Sequence, residues 1–237
     1  MRLNKFIAES GYCSRREADI LITERRVTLN GEIAQTGAKW LEGMLVFIDG
    51  EEIKLKATIQ GKRKHVYIAL NKPVGIICTT DQNVDNNIVD FVDHQHRIFP
   101  IGRLDRGSEG LILLTSNGDI VNKILRQENN HEKEYLVGVN KAVTEDFLRG
   151  MARGVRIHGQ MTKPCKVRRL AKYGFRITLT QGLNRQIRLM SETFGYRVTE
   201  LRRIRIINIQ LGKLKIGASR NLTENELAGL LPNFTDW

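Results

Sequence analysis

The sequence predicts an α+β protein, in which a small N-terminal module precedes a larger domain built on a mixed or antiparallel sheet with flanking helices. The chain has 237 residues, which is enough for one large domain and one small one. Hydrophobic residues make up 41% of it and charged residues 27%, a balance typical of folded globular proteins. Strand-like and helix-like segments follow one another without regular βαβ alternation, which argues against a purely parallel sheet.

The N-terminal module begins with the pattern of two short helices. Apolar residues at i, i+3 and i+4 start at Leu3, and Gly11 suits the left-handed turn that ends a helix. Ser14 and Glu17 then form the S-x-x-E arrangement of a capping box, which predicts the start of a second helix. The residues expected to face inward on this second helix are Ala18, Leu21 and Ile22.

Two dipeptides predict tight turns in a compact β section after these helices. Asn30-Gly31 and Asp49-Gly50 tolerate the positive φ angles that two-residue hairpin turns require. The following stretch, residues 61–65, is basic and has no apolar side chain, so it is interpreted as a linker. We therefore place the domains at residues 1–60 and 66–237.

In the larger domain, alternating and continuous apolar runs predict the strands, and 3.6-residue periodicity predicts the helices. We expect strands at Val66–Leu70, Ile76–Thr80, Leu111–Thr115, Tyr135–Val139, Phe175–Thr180 and Ile204–Leu211. We expect helices at Asp119–Arg126, Thr144–Met151 and Gln186–Phe194, and a C-terminal helix with Leu227, Leu230 and Leu231 behind the capping box of Thr223 and Glu226.

The positive charge of the chain is concentrated in one region. The formal net charge is +12, yet residues 1–60 contain nine basic and nine acidic side chains. Residues 166–220 contain fourteen lysine and arginine residues against only two acidic ones. Such clustering predicts a polyanionic partner, of which a nucleic acid is the obvious example.

Cysteine usage and hydropathy predict a cytoplasmic protein without a membrane partner. Cys13, Cys78 and Cys165 are far apart, so they provide neither a disulfide framework nor a CxxC pair. The N-terminal residues have no apolar run of signal-peptide length, and no window approaches the roughly 18 apolar residues of a membrane span.

A charged, glycine-rich loop stands out as a candidate site. The run Pro100–Gly110 leads directly into the apolar strand Leu111–Thr115, and charged loops next to buried strands often carry function. Arg103 and Arg106 flank Asp105, and a nearby guanidinium would keep this carboxylate ionised, as a nucleophile or base requires. Taken alone, the run favours a structural Asp–Arg pair on a surface loop.

Four runs together change this interpretation, because their order and spacing resemble the motif series of the pseudouridine synthases over nearly the whole chain. The runs are Asn71–Gly75, Gly102–Asp105, Lys133–Val137 and Gln181–Arg188. Residues 3–8 and 13–18 resemble the helix pair of an S4-like RNA-binding module. The sequence is thus similar to the RsuA/RluB/RluE/RluF branch of the family, closest to its RluF type, which implies an S4-like module before a pseudouridine synthase catalytic domain.

The resemblance also implies roles for individual residues. Asp105 matches the catalytic aspartate of the family, Tyr135 its active-site tyrosine, and Arg188 the basic residue that pairs with the aspartate. Arg103 matches the arginine of the aspartate motif, which is thought to displace the target base. The positions that match supporting motif residues are Asn71, Lys72 and Lys133.

The chemistry of pseudouridine formation explains why such residues are needed. The bond between the sugar and the base nitrogen breaks, the base turns, and it rejoins through ring carbon five. No atom is gained or lost, so we expect no cofactor and no metal. Asp105 can attack the anomeric carbon or remove the neighbouring ribose proton, and the sequence leaves both routes open. Tyr135 can stack on the extruded base, and its phenol can help remove the proton from carbon five.

Cations on two basic elements are expected to contact RNA phosphates, which would position the RNA without reading its sequence. One element comprises the N-terminal helices and the other the stretch after residue 196, and the last motif adds a further arginine. The predicted RNA-binding residues are Lys5, Arg15, Arg16, Arg185, Arg202, Arg203 and Arg205.

The resemblance implies that the protein isomerises a specific uridine in large-subunit (23S) ribosomal RNA, free or in a pre-ribosomal particle, and we expect it to act as a monomer. One alternative is the same chemistry on small-subunit ribosomal RNA or on a tRNA. Another is a non-catalytic S4-type RNA-binding or ribosome-assembly factor. The combination of Asp105, Tyr135 and Arg188 argues against this last alternative, because a pure binding module does not need an aspartate among arginines.

Overall fold

The computed structural model describes residues 1–55, 65–125 and 130–230, and the chain divides into two compact units that separate before His65. The first unit contains two helices and an antiparallel sheet with the strand order β2-β1-β3-β4. The helices are α1 (Leu3–Ser10) and α2 (Arg15–Thr23), and the strands are β1 (Val27–Leu29), β2 (Glu32–Ile33), β3 (Val46–Ile48) and β4 (Glu51–Ile53).

Local signals account for this first unit. Gly11 follows α1 in the left-handed conformation, with φ of 88°. The capping box at α2 is confirmed, since the Ser14 hydroxyl accepts from the Glu17 amide at 3.1 Å and the Glu17 carboxylate accepts from the Ser14 amide at 2.6 Å. Both central residues of the β1–β2 and β3–β4 turns have positive φ, as predicted. Ala18 and Ile22 are buried, whereas Leu21 is only half-buried.

The second unit is built on a mixed sheet with the strand order β11-β12-β8-β13-β7-β5-β15, to which β14 adds beside β13 and β6 beside β7. The β13–β7 pair is parallel and the remaining pairs are antiparallel. The strands of this sheet are β5 (Tyr67–Lys72), β6 (Phe99–Ile101), β7 (Glu109–Thr115), β8 (Lys133–Val139), β11 (Lys166–Ala171), β12 (Gly174–Leu179), β13 (Val198–Ile206), β14 (Ile209–Gln210) and β15 (Ser219–Asn221). The unit also contains a separate antiparallel pair, β9 (Arg156–Ile157) and β10 (Gln160–Met161).

Helices and loops cover both faces of the sheet around β7. The helices are α3 (Ile88–Val92), α4 (Gly118–Leu125), α5 (Glu145–Arg153), α6 (Gln186–Thr193) and α7 (Glu224–Leu230). Leu111 and Leu113 pack in the apolar cluster with α4 and α7, whereas Ile112 and Leu114 pack in the cluster with α5 and α6. Burial on both faces explains why β7 is a continuous apolar run instead of an alternating one.

One predicted strand is absent from the structure, and another is divided into two. Ile76–Thr80 is not a strand, because a turn with Gly75 at φ 98° turns the chain and only Ile77 forms an isolated bridge, to Asn87. Its apolar residues fill the core as loop residues. The single strand predicted at Ile204–Leu211 is in fact the end of β13 and all of β14, separated by a turn at Ile207. A β-branched residue at φ 53° is rare, which is why no sequence signal marks this turn.

Several short elements have no counterpart in the predictions, namely α3, β6, β9, β10, β11 and β15. Other predictions fall outside the described residues: the linker at 61–64, residue 126 of the third predicted helix, and Leu231. In the ranges that are described, the longest helices have nine residues, and none is long and apolar enough to cross a membrane.

Candidate active site

A cavity of about 910 Å³ opens in the second unit beside the first residues of β8. Its walls come from the loop before β7, from β8, from β13 and from the loop that connects β12 to α6. The predicted site residues that line it are Asp105, Tyr135, Arg103, Lys133, Arg185 and Arg203. Arg103 and Arg203, which are 100 positions apart in the chain, therefore line the same cavity. Asn71, Lys72 and Arg188 do not line this cavity.

The loop that carries Asp105 is held by hydrogen bonds on both sides. Within the loop, the Asp105 carbonyl accepts from the Ser108 amide at 3.0 Å. On one side, the Gly75 amide donates to the Arg106 carbonyl at 2.8 Å. On the other side, the Arg188 guanidinium donates to the Gly107 carbonyl at 2.8 Å. These hydrogen bonds restrict the backbone of the loop and thereby fix the position of the half-buried Asp105.

Arg188 binds the loop and not the carboxylate itself. Its guanidinium donates to the Gly107 carbonyl, to the Ser108 hydroxyl at 3.2 Å and to the Val198 carbonyl at 3.2 Å. Among the described residues, no carboxylate forms an ion pair with it, so the direct pairing with Asp105 that the resemblance implies is not present in this structure. Burial and the nearby Arg185 lower the pKa of Arg188, and the Asp105 charge opposes this shift through space.

Tyr135 projects from β8 between its cross-strand neighbours Ile177 and Arg203. Only 8% of its surface is exposed, and it lines the cavity. Its hydroxyl has no hydrogen-bond partner in the parts of the chain that the structure describes. Tyr135 therefore presents a ring and a free phenol to whatever occupies the cavity.

Lys72 and Asn71 do not line the cavity, but each binds the backbone of a loop. The fully buried Lys72 ammonium donates to the carbonyls of Pro73 at 2.8 Å and Ile76 at 2.9 Å. These bonds stabilise the turn whose Gly75 amide holds the Asp105 loop. Burial lowers the pKa of Lys72, while the negative charge of Asp105 counteracts this change. Asn71 donates to the Leu214 carbonyl at 2.7 Å and thus anchors the loop before β15.

Three arginines predicted to bind RNA have other contacts. Arg203 is 3% exposed and donates to the Leu111 carbonyl at 2.7 Å, so the prediction of a surface phosphate contact is wrong for this residue. Strand alternation sends its side chain to the same face as Tyr135. Arg205 binds Glu134 at 3.0 Å and Glu132 at 2.9 Å, so its charge is already balanced. Arg202 lies 3.7 Å from Glu109.

Other cations are free to bind an anion. At the rim of the cavity, the exposed side chains of Arg103, Arg106 and Arg185 have no carboxylate partner among the described residues. Arg106 is therefore a further candidate for anion binding. From the sequence it was expected only to keep the neighbouring Asp105 ionised. On α2, Arg15 and Arg16 are likewise exposed and unpaired within the described ranges. The remaining predicted residue of that unit, Lys5, lies 3.4 Å from Glu9.

Comparison with known proteins identifies the family. The model of the RNA pseudouridylate synthase family matches residues 66–193, and the S4 domain model matches residues 1–46. The chain is 55% identical over 229 residues to the dual-specificity RNA pseudouridine synthase RluF of Salmonella typhi, covering 97% of this chain and 78% of that protein. It is 54% identical to the protein of the same name from Escherichia coli (strain K12), with the same coverage.

The fold agrees with these similarities. A crystal structure of a pseudouridylate synthase superposes with a TM-score of 0.69 at 30% identity, covering 97% of this chain and 99% of that one. In the described part of the chain, no group of three or more histidine, cysteine, aspartate or glutamate side chains could hold a metal ion. The chain therefore belongs to the RNA pseudouridylate synthase family, in its RluF-type, S4-containing branch, and is an isomerase that acts on uridine in RNA.

Proposed function

We propose that this enzyme isomerises a specific uridine in large-subunit (23S) ribosomal RNA, free or in a pre-ribosomal particle, without a cofactor. The observation that carries the proposal is that Asp105 and Tyr135 line the same cavity, whose rim arginines have no carboxylate partner among the described residues. The dual specificity in the name of the relatives at 54% and 55% identity favours a second RNA substrate, for which tRNA is the candidate.

In the proposed mechanism the target uridine leaves its stack and enters the cavity. A volume of about 910 Å³ lies within the range of small-molecule sites, so a nucleotide can enter while the adjacent strand stays outside. Asp105 then attacks the anomeric carbon or removes the neighbouring ribose proton. Tyr135 stacks on the base, and its free hydroxyl can take part in removing the proton from carbon five.

The rim arginines contribute to binding in this proposal. Phosphates on either side of the extruded nucleotide contact Arg103, Arg106 and Arg185, whose exposed guanidiniums suit bidentate contact with phosphate oxygens. Arg103, which lines the cavity, is also proposed to occupy the space that the target base vacates, the role that the family resemblance implies for it. These contacts offset the unstacking energy that extrusion of the base requires.

The proposal assigns residues 1–60 to the S4-like RNA-binding domain, residues 61–65 to a linker and residues 66–237 to the catalytic domain. The position of the two family matches, 1–46 and 66–193, supports this division. We also propose that the enzyme acts as a monomer in the cytoplasm, where ribosomal and transfer RNA are available.

Mapping of pseudouridines in ribosomal and transfer RNA will test the substrate. Cells that lack this protein should lose one site in large-subunit RNA, and one in a tRNA if a second substrate exists. Expression of the intact chain should restore these sites, whereas the Asp105→Asn variant should not. Loss of sites only from small-subunit RNA would contradict the proposed target, although not the chemistry.

The basic face of α2 should determine affinity and not turnover. Substitution of both Arg15 and Arg16 with alanine removes two cations that are unpaired within the described ranges. The slope of log affinity against log salt concentration should therefore become shallower by the equivalent of about two phosphate contacts, and Kd should rise about tenfold at low salt. Filter binding against salt concentration measures both. In the matched control Arg26→Gln, Asp49 already neutralises the cation at 2.6 Å, so the slope should not change. An unaltered slope for the double variant would exclude this face from RNA recognition.

A further inference from the structure

Lys133, at the start of β8, is a half-buried cation of the cavity that has no role in the steps described above. Its side chain alternates onto the same face of β8 as Tyr135, and both line the cavity with Asp105. The residue is only half-exposed. Its ammonium forms no hydrogen bond and no ion pair with any residue that the structure describes.

A second cation lies on the neighbouring strand. Arg203 is 3% exposed, and its Nε donates to the Leu111 carbonyl at 2.7 Å. Its Nη1 has only a long contact of 3.5 Å, with the Arg103 carbonyl, and its Nη2 is buried without any partner. Burial lowers the pKa of Lys133, and repulsion from Arg203 lowers it further.

Two neighbouring cations without a counter-charge weaken a fold when they are removed from water. A structural role would provide the Lys133 ammonium with an acceptor, as the Pro73 and Ile76 carbonyls do for Lys72 and the Leu111 carbonyl does for part of Arg203. Unbalanced positive charge in the wall of a cavity is instead typical of a site for an anion that arrives with the substrate or forms during the reaction.

The reaction itself produces such an anion, on either route for Asp105. When the bond between C1′ and N1 breaks, the electron pair stays on N1, and the uracil ring becomes an anion with its charge spread over N1, O2 and O4. The ring must turn in this state. On the nucleophilic route the Asp105 oxygen bonds to C1′ as N1 leaves, and this bond breaks when C5 attacks C1′. On the other route the proton taken from C2′ returns to C2′ as C5 bonds to C1′. C5 then releases its proton and N1 takes one up, so atoms and charge balance.

We propose that Lys133, supported by Arg203 behind it, is the anion site that holds the detached uracil ring while it turns. This inference rests on the proposed function. The ammonium donates to the uracil anion, and the charge of Arg203 raises the local positive potential without direct contact. A phosphodiester of the RNA has the same anionic chemistry, and the experiment below separates the two sources.

The test uses an RNA that carries the mapped target site, with either uridine or 5-fluorouridine at that position. Disappearance of the N-linked nucleoside is followed in single turnover at saturating enzyme. For uridine, Lys133→Met should lower the rate on the order of 10²-fold, with Kd changed less than about twofold. Fluorine withdraws electrons and stabilises the leaving anion, so the ratio of wild-type to variant rates should be at least about fivefold smaller for 5-fluorouridine. Lys133→Arg should recover part of the rate.

Two controls separate this role from a structural one. Lys133→Met removes a half-buried charge that has no partner among the described residues, so the melting temperature of the variant should equal or exceed that of the wild type. Lys133→Gln serves if the methionine variant is insoluble. Lys172→Met, in the exposed β11–β12 turn, should not alter the rate with either RNA.

Several results would overturn the inference. A weaker Kd with an unchanged saturated rate would assign Lys133 to a phosphate, and equal defects with both RNAs would remove it from leaving-group stabilisation. A lower melting temperature together with a lost rate for both neutral variants would indicate a structural role. If the wild-type enzyme does not isomerise the RNA at all, the proposed function fails, whereas an active wild type with an equally active Lys133→Met variant refutes only this inference.

Discussion

Replacement of Asp105 by asparagine should lower the rate of isomerisation on the order of 10⁴-fold, because the amide can neither attack the anomeric carbon nor accept a proton. The change keeps the size of the side chain, and the loop is held through backbone atoms at Gly107 and Arg106, so the fold of the site should persist. Kd for RNA should stay within about twofold, since the phosphate contacts come from other residues.

Single-turnover release of the C5 proton as tritium from labelled RNA measures this rate, and filter binding measures the affinity. Asp146→Asn is a matched control, because this exposed carboxylate on α5 pairs with Arg149 alone among the described residues and does not line the cavity. Its rate should equal that of the wild type. A rate for Asp105→Asn within tenfold of wild type would show that another group supplies the essential carboxylate.

Removal of the Arg188 guanidinium should also cause a large loss, through the position of Asp105. Arg188→Met deletes the hydrogen bonds to Gly107, Ser108 and Val198, which connect the Asp105 loop to the start of β13. Misplacement of a reacting group by about 1 Å costs around 10²-fold, so we expect the saturated rate to fall by that factor with little change in Kd.

Hydrogen exchange distinguishes this positioning role from a direct one. The amide of Ser108, which donates to the Asp105 carbonyl, should exchange faster in Arg188→Met than in the wild type. Arg188→Lys should restore part of the rate, because an ammonium can make one of the lost bonds. The exposed Arg153 at the end of α5 provides the control Arg153→Met. Slow exchange at Ser108 combined with a lost rate would instead assign Arg188 to the substrate.

The fold was predictable wherever one short-range signal determines one element. The capping box of Ser14 and Glu17, the positive-φ turns and the apolar run of β7 each depend on residues that are neighbours in sequence. Predictions failed where the outcome depends on distant partners. Ile76 and Cys78 have a strand-like composition, yet no neighbouring strand pairs with them, and their side chains fill the core from a loop.

The sequence predicted which residues belong to the candidate site, but not how exposed they are or which partners they have. The four motif runs identified Asp105, Tyr135 and Arg188, and the first two share the cavity. The role of Arg106 at the rim and the isolation of Lys133 had no sequence signal, because exposure and the absence of a partner are properties of the folded surface.

The sequence by itself determined the helix pair, the turns, most of the long strands, the net charge and the family to which the chain belongs. Only the tertiary structure decided which of its cations are free, which are paired and which are buried. The physical reason is that a side chain carries its charge from its own chemistry, whereas its partners come from strands and loops distant in the chain. The bond between Arg188 and Gly107 spans 81 positions, and the burial of Arg203 depends on the register of β13 against β8 and β7.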